Sequence, residues 1–242
     1  MLPEASSAAA GRRGCSPCAA CTVRNLTVCG SLEAEELHHL AAIVSNQELH
    51  SGQVLFNESE PADHVFNVTA GTIKVYKLLA DGRCQITGFL FPGDFLGLAN
   101  EENYAYTAEA VNTVMLCRFP RRKLEGLLVQ FPHMEKRLLG MATHELAAAQ
   151  EQMLLLGRKT AKERIASFLL MLSRNAARRG QRDNPISLPM TRADIGDYLG
   201  LTTETVSRTF TQLKKTGAIA LQANSQVEIA DPDELVAMAD GL

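Results

Sequence analysis

The sequence predicts an α+β protein: an N-terminal antiparallel β jelly roll, one long helix and a C-terminal winged helix-turn-helix. Three observations lead there. Between residues 47 and 119, short apolar–polar alternations are separated by Gly and Asp turns, as in antiparallel barrels. From Met134 to Leu156 apolar residues recur at helical spacing. Beyond Met190, two short helical segments flank Gly200 and a pair of short strands follows. These patterns divide the chain into a cysteine-rich arm (1–30), a barrel domain (31–133), a long helix (134–157) and a winged helix-turn-helix domain (158–242).

A chain of 242 residues accommodates two compact domains, and 46% hydrophobic with 21% charged residues is a globular balance. No apolar core of signal-peptide length precedes Arg12-Arg13, and runs such as Phe168–Leu172 are too short to cross a bilayer. A cytoplasmic protein with no membrane partner is the expectation. The net charge of −3 is unevenly placed. Between Arg158 and Gly217 twelve Lys or Arg stand against five Asp or Glu, so this segment carries +7 and the remainder −10. A basic segment on an acidic body points to a nucleic-acid-binding unit.

Residues 1–14 are small and polar and read as disordered. The arm from 15 to 29 has almost no apolar pattern, so something other than an apolar core must order it. Leu32–Val44 reads as a helix capped by Ser31, with Leu37, Leu40 and Ala41 at helical spacing. Thr72–Leu78 alternates, Asp81-Gly82 is a hairpin turn, and Gln85–Phe89 returns. Pro92-Gly93-Asp94 turns the chain again, and Val114–Phe119 is another strand.

In the long helix, Leu139, Ala142, Leu146, Ala149, Met153 and Leu156 are spaced alternately three and four apart, the a/d seam of a coiled coil. Arg137, His144, Glu145 and Glu151 flank it, so the seam reads as a homodimer interface, thinned at Ala142 and Ala149. Gly157–Lys159 marks the next boundary. A helix over Thr160–Arg178, a loop over Gly180–Pro185 and the extended piece Ile186–Leu188 follow.

Thr191 caps a helix over Arg192–Leu199, Gly200-Leu201 forms a tight turn, and Thr202 or Thr203 caps a second helix through Lys215. The second helix of such a unit presents its N-terminal residues to the major groove of double-stranded DNA. Glu204, Ser207 and Arg208 share one face. Arg can pair with guanine O6 and N7, Glu can accept from cytosine N4, and Ser can contact either kind of base. Thr202, Thr203 and Arg192 complete the candidate DNA-binding set. Ala218–Leu221 and Val227–Ile229 read as a β-hairpin wing.

The run from Met190 to Arg208 resembles the DNA-binding signature of the superfamily containing the cAMP receptor protein and FNR, the fumarate and nitrate reduction regulator. Glu204, Ser207 and Arg208 resemble the FNR branch; the cAMP receptor protein has Gly where Ser207 stands and Arg where Thr203 stands. The likeness extends over Gly71–Lys74, Gln85–Phe89 and Leu154–Arg164, and so from about residue 15 to 240. It implies a transcription regulator that binds a TTGAT-type inverted repeat as a homodimer and works with RNA polymerase. Nothing in the residues argues for an enzyme: the six His show no metal-ligand spacing, and no Ser/His/Asp or Gly-rich phosphate motif is present.

In this superfamily the barrel can sense a ligand. A cyclic nucleotide is not expected, because Gln85–Cys117 contains no Lys or Arg for its phosphate while Glu101, Glu102 and Glu109 are acidic. The spacing Cys15-x2-Cys18-x2-Cys21-x7-Cys29 offers soft thiolates, which select iron–sulfur clusters or Zn. Resemblance to FNR-type oxygen sensors implies a [4Fe–4S] cluster on three arm cysteines and one distant strand cysteine, here Cys117, with oxygen loosening the dimer. Four arm cysteines compete for three places. Cys18, Cys21 and Cys29 keep the family's Cys-x2-Cys and longer gap, although FNR itself has five residues where Cys21 and Cys29 enclose seven. Cys15 is then spare and Cys84 an inert strand cysteine. A structural Zn on the four arm cysteines, or a thiol–disulfide switch there, is the competing reading.

Overall fold

The computed structural model describes residues 18, 20–98 and 102–241. The expectations for residues 1–14, Cys15 and Glu101 lie outside the described residues.

Two 3-10 turns, Arg24–Leu26 and Val28–Ser31, lead into helix α1 (Leu37–Ala41). The helix expected over 32–44 is shorter and starts later. Ser31 donates its hydroxyl back to Val28 O at 2.8 Å instead of capping forward, and Glu36 Oε2 accepts the Glu33 N–H at 2.8 Å, closing a turn first. The arm also corrects the expectation that no apolar core orders it. Val23, Val28 and Leu32 are buried. Two buried apolar residues in the arm, with Leu32 just beyond it, are enough to dock so short a segment, though too few to make a periodic pattern.

Eight strands follow: β1 (Ser45–Leu49), β2 (Val54–Phe56), β3 (His64–Ala70), β4 (Ile73–Leu78), β5 (Cys84–Leu90), β6 (Phe95–Leu96), β7 (Thr107–Ala110) and β8 (Val114–Pro120). They form two four-stranded antiparallel sheets, ordered β1-β8-β3-β6 and β2-β7-β4-β5, a jelly roll. Gly71 joins β3 to β4 at φ +82°, where a Cβ would lie 2.2 Å from Thr113 O, so only glycine fits. Period-2 alternation sorts the side chains. Phe66, Val68, Val114 and Leu116 face the barrel interior with Phe56 and Leu96. Val65 and Phe119 face outward, packed with Val28, Leu32 and Met134.

Helix α2 (Arg121–Gln130), absent from the sequence reading, is set off from α3 (Pro132–Arg158) by Phe131 and Pro132. Helix α3 is 27 residues long and runs through Gly157 without a break. Leu139, Leu146 and Met153 are 66%, 59% and 69% exposed on it, Ala142 and Ala149 are exposed too, and Leu156 is half-buried.

Helix α4 (Ala161–Arg178) opens on a capping box between Thr160 and Glu163. Then come β9 (Ile186–Ser187), α5 (Arg192–Leu199), α6 (Thr203–Lys215), β10 (Ile219–Gln222), β11 (Gln226–Ile229) and α7 (Pro232–Asp240). The wing is a three-stranded sheet ordered β10-β11-β9. Ile86, Phe89 and Phe91 of the barrel share one apolar cluster with Phe168, Tyr198 and Leu199, and the Phe89 and Tyr198 rings lie 5.3 Å apart. No helix among the described residues is long and apolar enough to cross a membrane.

Candidate functional site

Strand β8 sets Cys117 opposite Asn67 of β3. Opposed residues project from the same face, so both belong to the outer face, over which the arm lies. Cys29 sits in the second 3-10 turn, where Thr27 Oγ1 accepts its backbone N–H at 3.2 Å. Asn67 Nδ2 donates to Cys29 Sγ at 3.6 Å, and Cys18, Cys29 and Cys117 all pack on the outer apolar cluster.

The thiols feel one another. Burial pushes the Cys29 thiol up to about 11; a hydrogen bond with Thr27 opposes this, and Cys18 and Cys21 add to it. Burial pushes Cys117 up to about 12, with Cys29, Cys21 and Cys18 acting in the same direction. Of the sequence's candidates, Cys18, Cys21, Cys29 and Cys117 are therefore brought together, and they could hold a group that needs several thiolates. Cys84 lies apart, half-buried in β5 beside the C-terminal domain. Burial raises its thiol as well, with Asp197 adding to the shift.

The arm also grips α3. Arg137 Nη2 donates to Asn25 O at 2.8 Å and Leu26 O at 3.4 Å, and His133 Nε2 is 3.1 Å from Glu36 Oε2. Leu26 fills the space above Gly93, where a Cβ would approach to 2.7 Å. The outer apolar cluster includes Met134, Leu138 and Met141 of the same helix.

Inside the barrel, aromatic rings occupy the space between the sheets. Phe56 stacks on Tyr104 at 3.7 Å and lies within 5.9 Å of both Phe66 and Tyr106. Tyr104 OH donates to His64 O at 2.8 Å, and Arg121 Nη2 donates to Gly97 O at 2.7 Å.

The candidate DNA-reading face is built on a glycine turn. Gly200 caps α5 at φ +64°, and a Cβ on Gly196 would meet Leu201 O at 2.6 Å, so α5 and α6 approach as closely as a helix-turn-helix requires. Thr202 Oγ1 accepts the Thr205 N–H at 3.1 Å and starts α6. Val206, Phe210 and Leu213 are buried, whereas Thr203, Glu204, Ser207 and Arg208 are exposed. Glu204 and Arg208 make no ion pair with each other among the described residues, so both heads are available. The Ser207 hydroxyl donates to Thr203 O at 2.9 Å. Arg192 lies with its guanidinium 3.4 Å from the centre of the Phe210 ring, where it props α6 from behind, and burial lowers it from its ordinary value.

Polar contacts tie this unit to the barrel. Lys74 Nζ bridges Asp194 Oδ1 at 3.0 Å and Glu109 Oε1 at 3.2 Å. Gln85 Nε2 donates to Asp197 O at 2.8 Å, and within the C-terminal domain Arg164 Nη1 donates to Leu199 O at 2.8 Å. Sequence reasoning missed Asn67 altogether, as well as the contacts that Lys74 and Arg137 make. The one available signal was a polar Asn inside the apolar run Val65-Phe66-Asn67-Val68.

Two domain families match the chain: a cyclic nucleotide-binding domain over residues 46–131 and a Crp-like helix-turn-helix domain over residues 163–238. The nitrogen fixation regulation protein FixK of Bradyrhizobium diazoefficiens is 40% identical over 223 residues, 92% of this chain and 93% of that protein. The transcriptional activator protein FnrL of Cereibacter sphaeroides is 38% identical over 218 residues, 88% of each. The solved structure of FixK2 from Bradyrhizobium japonicum is similar with a TM-score of 0.76 at 37% identity, covering 81% of this chain and 97% of that one.

Proposed function

The chain belongs to the Crp/FNR family of DNA-binding transcription regulators, and from that premise we propose that it is an oxygen-responsive regulator with a [4Fe–4S] cluster on Cys18, Cys21, Cys29 and Cys117. The observation that carries this reading is the outward parity of Cys117 beneath the arm, with Cys29, Cys21 and Cys18 all within its electrostatic reach. Four soft sulfurs, three of them packed on an apolar floor, suit the group.

When bound, the cluster supplies an oxygen-labile link between the arm and β8. The protein's own residues do the rest. Cys29 and Cys117 hold their protons at neutral pH in the metal-free chain, so loading releases protons and strengthens as pH rises. Arg137 reads the position of the arm through the Asn25 and Leu26 carbonyls and passes it to α3. The exposed seam of Leu139, Ala142, Leu146, Ala149 and Met153, with Leu156, pairs with a second copy. The pair then presents two α6 helices to a TTGAT-type inverted repeat, with Glu204, Ser207 and Arg208 reading bases and RNA polymerase as the downstream partner. The aromatic filling of the barrel supports a regulator without a cyclic nucleotide.

Anaerobic purification followed by iron, sulfide and visible-absorption measurement tests the proposal. We expect a brown protein that binds a TTGAT repeat without oxygen and releases it in air. A colourless protein carrying zinc, with DNA binding indifferent to air, would replace this reading with the structural-zinc one.

A further inference from the structure

We propose that Asn67 is a positioning residue of the thiolate site, holding the Cys29 thiolate through its side-chain amide. The inference rests on the cluster reading above.

Asn67 is 1% exposed on an outer face otherwise lined by Val65, Phe95 and Phe119. Its Nδ2 reaches Cys29 Sγ at 3.6 Å, while its strand position sets it opposite Cys117. Its Oδ1 is buried without a hydrogen-bond partner. For stability alone this is a poor choice. A buried polar atom left unsatisfied is destabilising, and an apolar side chain of the same shape would avoid that cost. Toward a thiolate the choice makes sense, because an amide N–H donated to S⁻ is charge-assisted and stronger than one donated to a neutral thiol.

Asn67 thus stands between the two ligand sources. From the strand beside Cys117 it holds a ligand of the arm, and so sets how the arm seats on the barrel. Outer-shell donors of this kind govern metal retention, and hydrogen bonds to ligand sulfurs tune the reduction potential. A donor stabilises the more negatively charged, reduced state, so removing it lowers the potential.

The test uses the full chain, purified without oxygen, and two variants close in shape. Asn67→Leu removes both the amide donor and the amide acceptor, and Asn67→Asp exchanges the donor for a carboxylate. We expect the metal-free Leu variant to melt no lower than the parent. Once loaded, it should lose iron to a chelator about tenfold more readily and show a more negative reduction potential. The Asp variant should lose iron faster still, because its carboxylate faces thiolates. A folded Leu variant that fails to load iron at all supports the role as well. The proposal is overturned if either variant holds iron at the parent's rate and potential, or if metal-free Asn67→Leu unfolds, which would make Asn67 a structural residue. A parent chain without iron and sulfide defeats the cluster reading itself; a loaded parent with unchanged variants defeats only the role of Asn67.

Discussion

Asp94 sits in the turn between β5 and β6, where its Oδ2 accepts the Phe91 N–H at 2.8 Å. Burial pushes its carboxyl up to about 6 from an ordinary 3.8, against the Phe91 N–H and the Arg179 charge. A folded-state pKa above the unfolded one means stability is complete below about pH 4 and is lost as pH rises to about 6. Asp94→Asn keeps an acceptor for Phe91 and carries no charge to bury. It should therefore exceed the parent by about 1–3 kcal/mol at pH 7.5 and converge with it at pH 4, read from melts at both values. Equal gains at the two pH values would locate the effect elsewhere. Arg208 makes a second test at this scale. Arg208→Ala should cost about 1–3 kcal/mol on a TTGAT repeat and much less on random DNA at the same salt, whereas equal losses would make it a phosphate contact. Glu204, Ser207 and Arg208 were legible because helical spacing alone puts them on one face. Asn67 was not, since a single polar residue in a strand takes its meaning from what lies across the sheet.

Among the elements, α3, α5 and α6 were readable because each carries many periods or a cap and a glycine turn, so several weak signals agree. Helices α2 and α7 were missed. Each is only about three turns long, and α7 announces itself through Asp231 and Pro232 rather than through a long apolar stripe. The arm was misjudged for a similar reason: Val28 is buried with Val65 and Phe119 of a sheet face far away in sequence, which no local pattern reveals. The seam of α3 was legible as spacing, and its exposure in a single chain fits a surface kept for a partner. Leu146→Glu places a like charge on both sides of that seam. We expect monomers by sedimentation without oxygen and weak binding to the inverted repeat, with the helix content of the protomer unchanged. An undisturbed dimer would mean that α3 does not form the interface.

Across the whole molecule, the contacts run from the arm through Arg137 to α3, and from the barrel through Lys74, Gln85 and Phe89 to α5. Lys74→Met would leave Glu109 and Asp194 without their shared cation, while Asp194 remains held by the Thr191 cap. The expected cost is about 1–3 kcal/mol, with faster hydrogen exchange across β5 and α5 and none of that increase in the middle of α3. Uniformly unchanged exchange would show that the bridge does not hold the two units together. How the arm, barrel and long helix meet could not be read from the sequence, because those contacts join residues about forty to more than a hundred positions apart. The proposed ligand set rests on resemblance and on the placement of Cys117 beneath the arm. The most direct test of the account is therefore iron per protomer in six single Ser variants prepared without oxygen. Ser at Cys18, Cys21, Cys29 or Cys117 should abolish both the cluster and DNA binding, while Ser at Cys15 or Cys84 should leave both close to the parent. If Cys117→Ser kept a full cluster and Cys15→Ser lost it, the arm alone would hold the iron, and the proposed link from oxygen through β8 to the dimer helix would be wrong.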